Sequence, residues 1–286
     1  MKNLITRTLT GILFVGILVG CIVGGETAFF ALFGIITILA SLEFARNINA
    51  HSPANANPII CAVGAVLVFW SCFETNTGEM DGRSILLLVS PYLIVLMVLF
   101  VYELFRKTDT PIQNLALTVF AHLYTGLPFG LLSALAYHTD ISANGYDYAI
   151  PLAVFIFLWT NDTGAYCVGS LLHKRLPAKL SPNISPKKTW VGTIGGGVLC
   201  LVAAAILSEY FGRLTLPVWL GFGLVVCIFG TLGDLVESLI KRKLGVKDSG
   251  NILPGHGGIL DRFDSSLLAI PATAAYFGII EAISRL

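Results

Sequence analysis

Apolar runs long enough to cross a bilayer follow one another along almost the whole chain. A hydrocarbon core of about 30 Å takes about 20 helical residues. Runs of that order cover 8–25, 28–46, 58–74, 84–105, 112–137, 149–172, 190–211, 215–240 and 264–284. Lipid offers no partner to a free backbone amide, so such runs must fold as helices. The 286 residues are 55% hydrophobic and 12% charged, against about 25% charged in soluble domains. No soluble domain of useful size fits between the runs. The chain is expected to be all-α, a polytopic integral membrane protein with about nine transmembrane helices.

Charge placement tests that count independently. With the N-terminus inside, all of the 18 Lys and Arg except Arg83, Arg213 and Arg285 fall on the inner segments. The outer segments carry Glu74, Glu79, Asp81, Asp140 and Asp147. The expected setting is a multi-pass protein of the cell (inner) membrane. Lys2 and Arg7 ahead of an apolar run, with "LVGC" at 18–21, have a faint likeness to a secretion signal. An uncleaved first helix is expected, because the chain stays apolar afterwards. Cys21, Cys61, Cys72, Cys167, Cys200 and Cys227 all lie in apolar runs without metal-ligand spacing, so they read as small core residues rather than a disulfide framework.

The polarity is unevenly spread. Residues 1–145 carry little beyond Glu43 and Arg46 at an inner helix end, a lone His122 that reads as a core histidine, and Pro91 and Pro128 inside helices. That part is expected to be scaffold helices, and 146–286 the catalytic region with its cytoplasmic loops. Three polar clusters lie in the second part. In "WTNDTGAY" (159–166), Asp162 is about ten residues, or about 15 Å, from the inner end of its helix. An ionisable group at that depth is a functional candidate. Gly164 and Gly169 allow either close helix packing or a local break. The inner loop "HKRLPAKLSPNISPKKTW" (173–190) holds His173, Lys174, Arg175, Lys179, Lys187 and Lys188 with no acid among them. A basic loop marks the cytoplasmic side, but Ser185, Lys187, Lys188 and Thr189 just ahead of a helix also suit phosphate. In "GDLVESLIKRK" (233–243), Asp234, Glu237, Ser238, Lys241 and Arg242 share one helical face. The glycine-rich segment "VKDSGNILPGHGGILDRFDSS" (246–266) then adds Asp248, His256, Asp261, Arg262 and Asp264.

Carboxylates beside clustered Lys and Arg are what phosphoryl or nucleotidyl transfer requires. Mg²⁺ is usually held by one or two carboxylates plus substrate phosphates, and cations offset charge on the leaving group. There is no Walker-type Gly-Lys loop and no zinc spacing. The residues suggest a metal-dependent enzyme joining a nucleotide to a lipid phosphate at head-group depth.

"SLIKRKLGVKDSGNILPGHGGILDRFD" (238–264) closely resembles the signature of the phosphatidate cytidylyltransferases, or CDP-diacylglycerol synthases. "DTGAY" (162–166) and "SPKKTW" (185–190) resemble further motifs of that family. The resemblance implies that CTP and phosphatidate give CDP-diacylglycerol and pyrophosphate. It places Asp234 and Asp261 on a metal centre with Mg²⁺ and K⁺, and Lys241, Asp248 and His256 in the catalytic region. It places Asp162, Ser185, Lys187, Lys188, Thr189, Ser238, Arg242 and Arg262 toward substrate. Val191 stands where the family commonly shows Glu or Gln. The expected partners are the two substrates and the bilayer, with no nucleic acid; oligomeric state is left open, a homodimer included. Two rivals stay in play. One is a transporter using Asp162, Asp234 and Glu237 as an ion path, against which no internal repeat is visible. The other is a related enzyme for a different lipid phosphate.

Overall fold

Proline and glycine set the ends of the helices. In this computed structural model, residues 2–74, 82–137, 145–172, 174–253, 255 and 257–285 are described. Helix α1 (Lys2–Val23) stops at Gly24–Gly25, where Gly25 has φ 101°, and α2 (Glu26–His51) starts at the next residue. Ser52 closes α2 by donating both its amide and its hydroxyl to Ile48 O. Prolines open α3 (Pro58–Glu74) and α5 (Pro111–Ala136), where a missing N–H costs nothing. Between them lies α4 (Gly82–Phe105). Helix α6 (Ala149–Leu172) is followed by a small antiparallel hairpin, β1 (Lys179–Ser181) and β2 (Ser185–Thr189). Thr189 then caps α7 (Trp190–Phe211), its Oγ1 accepting from the Gly192 amide at 3.2 Å. The last elements are α8 (Leu216–Lys243), the single turn α9 (Leu260–Phe263) and α10 (Ser266–Ser284).

Among the described residues six helices are long and apolar enough to cross a membrane: Glu26–His51, Ile85–Phe105, Pro111–Ala136, Trp190–Phe211, Leu216–Lys243 and Leu260–Ser284. Thr8–Val23 and Pro58–Glu74 are apolar but shorter. The protein is an all-α polytopic membrane protein. "SPKKT" does lie just ahead of a helix, as expected, but the expected loop is a hairpin and "SPKKT" is its second strand.

Two packing features position the site. Gly164 and Gly169 of α6 face Gly192 and Gly196 of α7, and α6 runs unbroken past them. A methyl at Gly196 would stand 2.5 Å from Asn161 Oδ1 and 2.6 Å from Asn161 O. Of the two roles open to these glycines, the structure uses close packing, the usual device where lipid supplies no hydrophobic drive between helices. The second feature is an aromatic hub. Phe263 is buried with its ring 5.7 Å from Phe14, 5.3 Å from Phe129 and 6.2 Å from Phe155. It fastens the glycine-rich segment to α1, α5 and α6 between Arg262 and Asp264. His122 is a buried core histidine, as expected, with Nε2 3.0 Å from Ile60 O, and all six cysteines are free thiols.

Candidate active site

The C-terminal end of α8 carries the shared polar face. The Ser238 hydroxyl donates to Asp234 Oδ1 at 3.2 Å. One turn on, Lys241 Nζ lies 3.1 Å from Glu237 Oε1 and 2.7 Å from Asp261 Oδ1. Lys241 therefore ties the helix to the glycine-rich segment. The other Asp261 oxygen, Oδ2, accepts the amides of Ser249 and Gly258, both at 2.8 Å. Asp261 is thus held by three donors, one of them charged, and such bonds are the strong ones.

The hairpin reaches the same helix from the other side. Lys188 Nζ stands 2.5 Å from Asp234 Oδ2, with side chains 25% and 27% exposed. The spacing of "SPKKT" makes this possible. Neighbouring residues on a strand point to opposite faces, so Lys188 turns in toward α8 while Lys187 stays exposed.

Two cavities flank these residues. The larger, about 480 Å³, lies between the hairpin, α6 and α7. Lys179, Lys187, Lys188 and Thr189 line it from the hairpin, Asn161, Asp162, Tyr166 and Ser170 from α6, and Thr193 and Thr231 from α7 and α8. The smaller, about 340 Å³, lies under α1. Thr10 and Phe14 line it with Trp159, Asp162, Asp234, Asp261, Arg262 and Asp264. One cavity thus has three lysines and the other four carboxylates and an arginine. Asp162 faces both.

The donors fit a hard cation in kind, since the carboxylates offer oxygen ligands only. Among the described residues no three His, Cys, Asp or Glu converge as a chelating group. An ion held here by one or two of these carboxylates would therefore need further oxygens, the arrangement Mg²⁺ takes with phosphate substrates.

A sequence model described as the cytidylyltransferase family matches residues 5–280. Proteins named phosphatidate cytidylyltransferase are similar over nearly their whole length. That of Staphylococcus aureus (strain COL) is 34% identical over 268 residues, 93% of this chain and 95% of the relative. That of Staphylococcus haemolyticus (strain JCSC1435) is 33% identical over 267 residues, with the same coverage. The chain belongs to the cytidylyltransferase family.

Within this cytidylyltransferase the expected site residues divide clearly. Asp162, Lys187, Lys188, Thr189, Asp234, Asp261 and Arg262 line one or both cavities, and Ser238 and Lys241 bond to Asp234 and Asp261. Ser185 pairs with Ser181 at the hairpin turn, and Asp248 and Arg242 are exposed; none of these three lines either cavity. Val191 lines neither cavity as well. His256 and His173 lie outside the described residues, as do Glu79, Asp81 and Asp140. Lys179 was legible only as loop charge, yet it joins the lysine-lined cavity. Glu43 of α2, which the sequence leaves with the scaffold helices, reaches this region. It is 3% exposed, and its carboxylate accepts the Ser249 hydroxyl at 2.5 Å and the amides of Ile259 and Leu260 at 2.9 and 3.0 Å.

Proposed function

We propose that this cytidylyltransferase moves the cytidylyl group of CTP onto phosphatidate, giving CDP-diacylglycerol and pyrophosphate for phospholipid synthesis. The observation that carries the reading is the pair of cavities meeting at Asp162, one lined by lysines and the other by carboxylates. The lysine side suits a triphosphate. The carboxylate side lies against α1, where Arg262 also faces it, and suits the lipid phosphate. In the reaction a phosphatidate oxygen bonds to the α-phosphorus, and the bond from that phosphorus to the α–β bridging oxygen breaks. The bonding pair leaves with pyrophosphate. Both nucleophile and leaving group are substrate phosphate oxygens, so no protein nucleophile is needed.

The chain's own residues place and neutralise these groups. Lys179, Lys187 and Lys188 receive the triphosphate and offset the charge growing on pyrophosphate. Lys188 rests on Asp234, and a triphosphate competes for the same ammonium group. Asp234 and Asp261 would hold Mg²⁺, with K⁺ beside it, and such an ion neutralises phosphate charge in transfer reactions. Lys241 and the Ser249 and Gly258 amides keep Asp261 oriented. Arg262 faces the smaller cavity, where its guanidinium matches a phosphate. The reading includes nine spans, the N-terminus inside, and the site on the cytoplasmic face of the inner membrane, where the basic segments lie.

The test is incubation of the purified protein with phosphatidate, Mg²⁺ and each of the four ribonucleoside triphosphates. CTP-selective release of pyrophosphate, with a CDP-lipid product, is expected. Release with none of the four would sink the reading.

A further inference from the structure

The glycine-rich segment is built around a carboxylate that comes from the other end of the chain. Glu43 Oε1 accepts the Ser249 hydroxyl and the Leu260 amide, and Oε2 accepts the Ile259 amide. Asn47, one turn further along α2, donates to Ser249 O at 2.6 Å. A β-carbon on Gly250 would stand 2.5 Å from Glu43 Oε2, and one on Gly258 would overlap the same carboxylate. These two glycines are therefore places where the backbone closes on Glu43, and a larger residue at either would push its carboxylate out of place.

Ser249 links this clamp to the reactive side. Its amide donates to Asp261 Oδ2 at 2.8 Å, and its hydroxyl oxygen accepts the Asp261 amide at 3.2 Å. The hydroxyl proton is already given to Glu43. One serine thus joins two carboxylates, one from α2 and one in the cavity beneath α1. Gly258 repeats the pattern, its amide on Asp261 and its Cα hydrogens against Glu43.

We infer that Glu43 is a positioning residue for the transfer reaction, holding the backbone at 249–250 and 258–260 so that the Ser249 and Gly258 amides fix Asp261. The inference rests on the reading of the site as a cytidylyltransferase centre. Glu43 itself lines neither cavity, so it acts through Asp261. Removing it should slow turnover while leaving nucleotide affinity nearly intact, because the lysines that receive CTP lie on the hairpin, away from the clamp. Supporting residues of this kind typically matter about 10–100-fold.

The experiment compares wild type, Glu43→Gln, Ser249→Ala and the double variant in detergent–phosphatidate micelles. The readouts are kcat and KM for CTP per folded molecule, with amide hydrogen exchange of 249–261 measured in parallel. Gln keeps the size of Glu but presents an NH₂ group to donors. Glu43→Gln should lower kcat about 10–100-fold, leave KM for CTP within about twofold, and speed exchange in 249–261. The double variant should be no slower than the slower single variant, since both break one linkage. Ser249→Ala keeps the Glu43 carboxylate in place and gives the test if Glu43→Gln fails to fold. Unchanged kcat per folded molecule in the variants, additive losses in the double variant, or a change confined to KM would each overturn the inference. If wild type itself makes no CDP-lipid, the substrate reading falls separately. Unchanged exchange of 249–261 would still refute the clamp, and faster exchange there would uphold it.

Discussion

Replacing Asp261 and Asp234 by Asn removes one charge from each, yet the two substitutions should differ sharply in their cost to the fold. Asp261 is 6% exposed and Lys241 15%, and the carboxylate accepts from Lys241, Ser249 and Gly258 within 2.8 Å. Asn has one acceptor oxygen and an NH₂ group. With its oxygen toward the two amides, the NH₂ faces the Lys241 ammonium; reversed, it faces the amides. The first pose loses one bond and leaves Lys241 with Glu237; the reversed pose loses the two amide bonds. Hydrogen bonds to charged groups contribute about 1.5–3 kcal/mol each, so the first pose, which loses one, costs about that much. Asp234 is 27% exposed, its Lys188 partner 25%, and the Ser238 hydroxyl can donate to an amide oxygen instead. That exchange costs about 0–1 kcal/mol. Both variants should lose at least about 100-fold in CDP-lipid formation, about 2.7 kcal/mol of barrier. Only Asp261→Asn should melt early, by about 3–12 °C at about 2–4 °C per kcal/mol. Thermal unfolding of the solubilised protein by tryptophan fluorescence, paired with pyrophosphate release, separates the two effects. Asp261→Asn melting with wild type, or Asp234→Asn falling as far, would refute the assignment of the three donors. Wild-type turnover in both variants would remove them from the reactive centre.

Lys187→Ala and Lys188→Ala should each raise KM for CTP, and Lys188→Ala should also lower kcat because Asp234 loses its counter-charge; initial rates across CTP concentrations decide this, and a defect confined to membrane insertion would leave only a topogenic role for the lysines. Gly196→Ala pushes a methyl onto Asn161 and should destabilise the α6–α7 seam by about 1–3 kcal/mol, visible as a lower melting temperature; a wild-type melt would mean the helices separate at little cost. Single cysteines placed at the exposed Lys179 and Asp248 should label from the same side of the membrane, and labelling from opposite faces would dismantle the shared site.

Helix positions were legible because lipid leaves an apolar run few other conformations, and glycine and proline mark the ends: Gly24–Gly25, Pro58 and Pro111 all fall at breaks. The face shared by Asp234, Ser238 and Lys241 followed from helical periodicity alone. The hairpin did not. A five-residue strand with two adjacent lysines has no apolar alternation, so "SPKKT" reads as a basic loop, and only the partner strand gives it shape. Glu43 escaped for a different reason. Its partners are 206 to 217 residues away, and nothing local in "SLEFARN" announces them. Depth, the criterion that flagged Asp162, gives no such signal for Glu43, which stands near the end of its apolar run.

That long separation has a consequence for how the protein is made. Synthesis proceeds at about 5–20 residues per second. The α2 carboxylate therefore enters the membrane about 10–40 s before the ribosome has made the backbone that will surround it. During that interval a group that ends 3% exposed must stay at the lipid–water boundary or take a temporary partner. The reactive centre cannot exist on the nascent chain until nearly the last helix has been made. A chain cut short before Ser249 should leave the α2 carboxylate without the hydroxyl and amides that satisfy it in the finished protein.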